Sequence, residues 1–124
     1  MSHPATLAYR ESSVLTASPE QLVVMLYDGA RRFLLQAGQA MQDGDYAAGN
    51  RRLQRAEAII DELLATLDLS TGAVAEQLQA IYLFCRRQTM EARVERDPKR
   101  LEQVSELLGE LRDAWHQIAT SAAA

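Results

Sequence analysis

Ser18-Pro19-Glu20-Gln21-Leu22-Val23 opens the stretch on which the fold turns. The Ser18 hydroxyl can accept from the free N–H groups of a first helical turn. Pro19 suits the position where its missing N–H costs nothing, and Gln21 three residues later completes a capping box. A helix is predicted from about Pro19 to Gln42. Within it Leu22, Val23, Leu26, Ala30, Phe33, Leu34, Ala37 and Met41 recur at helical spacing, so one side should enter a core. Asp43-Gly44 ends the pattern.

Working outward, Asp45 is placed to cap a second helix whose apolar stripe is Leu53, Ala56, Ile59, Ile60, Leu63, Leu64 and Leu67. Arg51, Gln54, Arg55, Asp61 and Glu62 point away from that stripe, and Ser70-Thr71-Gly72 follows its end. A third helix from about Ala73 to Arg96 aligns Val74, Leu78, Ile81, Tyr82, Cys85 and Ala92. Asp97-Pro98 is the next start signal, and the last helix carries Leu101, Val104, Leu107, Leu108, Leu111, Trp115 and Ile118 on one face. Helices of this length span about 33 to 36 Å, and their short connections force neighbours to run antiparallel. The expected fold is all-α, an antiparallel up-down four-helix bundle with a short N-terminal arm or cap helix. The expected divisions are an arm at residues 1–17, a bundle at 18–120 and a disordered Ser-Ala tail at 121–124. Strand-type alternation persists nowhere.

Composition narrows the function. A chain of 124 residues, 48% hydrophobic with 6 Gly and 3 Pro, holds one core and is too short for two ordinary domains. No stretch reaches the roughly 20 apolar residues of a membrane span, and Met1-Ser2-His3-Pro4-Ala5 lacks the build of a signal peptide, which predicts a cytoplasmic protein. A net charge of −4 argues against a nucleic-acid surface. Arg51 and Arg55 are i,i+4 neighbours on an outer face with Glu62 further along, the pattern of a solvated charged face.

Catalytic and metal constellations are missing from the pattern. His3 falls in the arm, His116 on the polar side of the last helix, and neither has a Glu three residues before it, as di-iron bundles require. Cys85 lies on the apolar stripe, where burial raises rather than lowers a thiol pKa. The expectation is a binding protein with no cofactor and no catalytic residue, although carboxylate-only metal binding stays open.

Two features ask for a partner. Gly29 inside a helix costs about 1 kcal/mol relative to Ala, so something needs the missing side chain: close helix approach or a groove. The third helix, besides its core stripe, projects Ala80, Leu83, Phe84, Met90 and Val94 on the other side, where a plain bundle helix would be polar. That second face could take the N-terminal arm, an identical subunit in a weak homodimer, or an external helix.

The residues assembled in this order resemble the flagellar export chaperones of the FliS type. The likeness rests on Ala8-Tyr9, on Thr16-Ala17-Ser18-Pro19-Glu20-Gln21-Leu22 leading into Met25-Leu26-Tyr27-Asp28-Gly29-Ala30, on Gly44-Asp45 and Ala56 to Leu64, and on Leu78, Ile81-Tyr82 and Ala114-Trp115. The resemblance implies an antiparallel bundle that binds the C-terminal segment of flagellin, prevents its premature polymerisation in the cytoplasm and delivers it to the flagellar export gate. It also implies apolar grooves on the bundle, part of one covered by the arm until cargo displaces it. The residues expected there are Leu7 and Tyr9 in the arm, Ile60 and Leu64 from the second helix, and Tyr82, Leu83, Met90 and Val94 from the third; Ile60, Leu64 and Tyr82 are equally readable as core. The chain stops soon after Trp115, without the extended tail of the longer members.

Overall fold

The computed structural model describes residues 17–123, with side chains placed through Gln117. The expectations for Leu7, Tyr9 and the rest of the arm up to Thr16 lie outside the described residues. Four long helices, α1 (Pro19–Gln42), α2 (Tyr46–Ala65), α3 (Ala73–Glu95) and α4 (Pro98–Ala123), make a four-helix bundle, and the described residues contain no strand.

Local chemistry accounts for most of the boundaries, although α3 starts after Gly72 without a side-chain cap. The Ser18 hydroxyl accepts from the Gln21 N–H at 3.1 Å while the Ser18 N–H donates to Gln21 Oε1 at 2.8 Å, the two halves of a capping box. Between α1 and α2, Gly44 takes a φ of 79°, which L side chains resist, and Asp45 Oδ1 then accepts from the Ala48 N–H. A single 3-10 turn, Leu69–Thr71, joins α2 to α3. Arg96 closes α3 in the left-handed region at φ 53°, its guanidinium 4.1 Å from the Tyr46 ring centroid. Asp97 Oδ1 accepts from the Lys99 N–H to start α4. That helix continues through Ser121 to Ala123, into the segment expected to be a disordered tail, as the high helix propensity of alanine favours.

Contacts between the helices run in opposite numerical order, which makes every neighbouring pair antiparallel. Along α1 and α4, Gly38 faces Pro98, Arg31 faces Ser105 and Asp28 faces Arg112. Along α1 and α2, Ala37 faces Gly49 and Gly29 faces Ile59. Along α2 and α3, Asp61 pairs with Arg86 and Glu57 with Arg93.

The core repeats in steps of three and four residues. Tyr27, Ala30, Leu34, Ala37 and Met41 of α1 meet Leu53, Ala56, Ile60 and Leu63 of α2, Tyr82, Cys85, Thr89 and Ala92 of α3, and Leu101, Val104 and Leu108 of α4, all buried. That 3.5-residue period is the one that lets knobs pack into holes along a left-handed bundle. It also corrects two expectations. Val74 is 70% exposed and Ala75 is buried in its stead, because Ala75 and not Val74 lies seven residues before Tyr82. Leu22 is likewise open while Val24 and Tyr27 enter the core.

One buried polar contact ties α1 to α3: the Tyr27 and Tyr82 hydroxyls lie 2.5 Å apart, their rings tilted at 49°. Burial and then the Tyr82 hydrogen bond hold Tyr27 far above the ordinary tyrosine range; burial also raises Tyr82. Cys85, free and buried beside them, is pushed up by desolvation to about 11 from 9.0. Acids whose folded pKa is raised contribute stability that is complete below their unfolded pKa and lost as pH climbs through the folded one. The urea midpoint is therefore expected to hold at neutral pH and fall progressively above about pH 9, where unfolded Cys and then Tyr begin to ionise. Tyr27→Phe should flatten the part of that decline above about pH 10. Urea titrations at stepped pH measure both slopes.

Candidate functional site

Antiparallel packing gathers the starts of α1 and α3 and the ends of α2 and α4 at one end of the bundle, and there the apolar side chains do not close over one another. They leave a groove of about 600 Å³. Leu22, Met25 and Leu26 form one wall, Leu67 and Leu78 another, with Trp115 and the ring of Tyr82 between them. Among the described residues, Glu62 is the one charged residue in its lining. Pro19 is part of the lining, so α1 begins beside this groove. The volume and apolar lining suit a few bulky side chains from a peptide or helix.

A second apolar surface lies on the outer side of α3. Leu83 is 48% exposed, Met90 52% and Val94 78%, with Phe84 and Ala80 exposed beside them. Spacings of three, four and seven residues put all five on one stripe along about 21 Å of helix. Exposed apolar side chains gathered on one face of a helix are a pattern found at interaction surfaces, whereas monomers otherwise keep such residues scattered.

The polar edge between α2 and α3 is a shallow, open hollow of about 460 Å³ whose charges pair with one another. Glu57, buried despite its charge, is bound by both Arg86 and Arg93, and Arg86 also holds Asp61 with Nε to Oδ1 at 2.9 Å. This accounts for Arg86 as a clasp that orients α3, with its acids already in place. On the α1–α4 side Arg112 donates to Asp28 at 2.9 Å, which raises the arginine further above its usual value. Among the described residues no group of His, Cys, Asp and Glu is arranged to hold a metal ion. No described helix is long and apolar enough to cross a membrane.

The residues expected at the site divide sharply. Leu83, Met90 and Val94 come together on the exposed stripe. Leu64 is half-buried and packs on the core. Ile60 is 0% exposed and belongs to the core, which removes it from any surface available in this state. Tyr82 is 2% exposed, so it supports the groove from beneath, and its hydroxyl is taken by Tyr27. The groove residues Leu22, Leu26, Leu67 and Trp115 had the spacing of core positions, and Met25 fell outside the stripe. The signal for them is that Leu22, Met25 and Leu26 carry the apolar arc of α1 well around the helix from the Tyr27 side, more than one core face needs.

The comparisons with known proteins agree with this architecture. The family described as flagellar protein FliS matches residues 1–122. The flagellar secretion chaperone FliS of Salmonella typhimurium is 38% identical over 114 residues, covering 90% of this chain and 84% of that protein. Its counterpart in Bacillus subtilis is 35% identical over 114 residues, covering 92% and 85%. That of Vibrio cholerae is 36% identical over 109 residues, covering 87% and 80%. With a family match across nearly the whole chain and relatives aligned over most of their own length, this all-helical bundle with two open apolar surfaces belongs to the FliS family of flagellar secretion chaperones.

Proposed function

We propose that this protein is a cytoplasmic chaperone that binds the C-terminal segment of flagellin, keeps it from polymerising prematurely and delivers it to the flagellar export gate. The observation that carries the proposal is the α3 stripe of Leu83, Phe84, Met90 and Val94, exposed on a helix whose opposite side already fills the core. An unfolded cargo segment that forms amphipathic helices on this stripe and in the end groove gains apolar burial along a path longer than either surface alone. It loses chain entropy in doing so, which keeps binding reversible. The action is binding, with no chemical step and no nucleotide.

Burying each stripe residue against cargo contributes about 1.5–3 kcal/mol. Met90→Glu combined with Val94→Glu is therefore expected to abolish binding of a flagellin C-terminal peptide in calorimetric titration. Melting should shift little, since neither side chain is buried. A double variant that folds and still binds would place the cargo elsewhere. A homodimer through the same stripe is the competing occupant. Sedimentation with excess peptide separates the two: a one-to-one complex supports the chaperone, and a mass unchanged by peptide supports the dimer.

The arm has a place in this reading. Leu7 and Tyr9 belong to the segment preceding α1, which begins beside the end groove, and they act as a displaceable latch over it. A latch lowers apparent affinity by the fraction of time the site is closed, so removing residues 1–15 should tighten or preserve binding of an isolated cargo peptide. The same titration on the truncated protein and on Tyr9→Ala measures this. Markedly weaker binding in both would show that the arm grips cargo instead of covering its site.

A further inference from the structure

The α3 stripe is not uniformly apolar. Arg87 lies three residues after Phe84, four after Leu83 and three before Met90, which sets it at the middle of the stripe. The other arginines of this helix and its cap are engaged: Arg86 with Glu57 and Asp61, Arg93 with Glu57, and Arg96 over the Tyr46 ring. Arg87 is exposed, and among the described residues its side chain makes no ion pair, hydrogen bond or ring contact. Its one acidic neighbour a turn ahead, Glu91, is held at 2.8 Å by Arg100, which also binds Gln88 and Glu95.

We propose that Arg87 selects and registers the helix that docks on α3, and that this helix carries a single Asp or Glu in the middle of its apolar face. The inference rests on the reading of the stripe as the cargo surface. Any helix laid on Leu83, Phe84, Met90 and Val94 covers Arg87 and strips it of water. A carboxylate opposite it restores the lost hydration with a charge-assisted, two-pronged hydrogen bond that guanidinium geometry favours. A wholly apolar helix, or the same helix slid by one turn, leaves the cation buried and unpaired, a heavy penalty against a wrong partner. Leu83, Phe84, Met90 and Val94 provide attraction without direction, and Arg87 supplies the register.

The test is calorimetric titration of the full-length chaperone with a flagellin C-terminal peptide and with a set in which each Asp or Glu is changed singly to Lys. Arg87→Glu and Arg87→Gln should each weaken binding of the native peptide about thirtyfold or more, the usual consequence of orphaning a buried charge. Arg51→Glu, an exposed arginine on α2 away from both surfaces, should leave it unchanged. One Lys-substituted peptide should bind the wild type poorly and recover on Arg87→Glu. The inference is overturned if Leu83→Glu abolishes binding while the Arg87 variants bind as the wild type does, or if no Lys peptide recovers on Arg87→Glu. Unchanged binding by Leu83→Glu overturns the cargo surface itself, and Arg87's role with it.

Discussion

The closeness of α1 to both α2 and α4 is the constraint from which the remaining geometry follows. It depends on small residues: a Cβ at Gly29 would come within 3.2 Å of Ile59 Cδ1, Gly49 lies against the Ala37 carbonyl at the distance a Cβ would touch, and Ala30 and Ala37 are fully buried between. With its backbone brought near two partners, α1 packs broadly along its length on either side. α3 is left with narrower contacts to α2 and α4. A helix held that way keeps one long face free. At the end where α1 and α3 begin, large side chains such as Leu26, Leu78 and Trp115 line a groove instead of closing it.

Because α3 is held by a limited apolar seam, its orientation relies on polar contacts of fixed geometry. Glu57 accepts from both Arg86 and Arg93, two residues a double turn apart, so rotation or sliding of α3 against α2 would break one pair or the other. A buried ion pair is poor at adding stability, because desolvation offsets most of the attraction. It bears on geometry instead, since only this placement of α3 brings both guanidiniums to Glu57. The Tyr27–Tyr82 hydroxyl contact does the same between α1 and α3. Those two contacts aim Leu83, Phe84, Met90 and Val94 at solvent.

The helices were legible in the sequence because their boundaries are local chemistry: the Ser18-Pro19-Gln21 box, Asp45 after Gly44 and Asp97 before Pro98 each act within four residues. The outer face of α3 was legible too, since five apolar residues off a core stripe violate helical patterning on their own. The identity of core residues was less so. Val74 and Ala75 are adjacent, and only the heptad register, set by partners far along the chain, decides that alanine goes in and valine stays out. Ile60 and Tyr82 were ambiguous for the same reason, as a groove floor and a core layer share one periodicity. The end groove was hidden because it is an absence of packing among residues of four helices, a property of how they converge.

A stripe of exposed Leu, Phe, Met and Val would ordinarily invite association with any apolar surface, including another copy of the same helix. Two features of α3 limit this. The apolar residues form a line one side chain or two wide, flanked by Gln77, Gln79 and Glu76 toward the start of the helix and by Glu91 near its end, so little area is offered to a flat partner. Arg87 divides the line, and two copies aligned in parallel would bring like charges together. In the role proposed for Arg87, the surface favours a helix with a matching pattern of charge over a wholly apolar one. Specificity of this kind is a difference of affinities between partners, set by the cost of covering a cation that only a matching partner can pair.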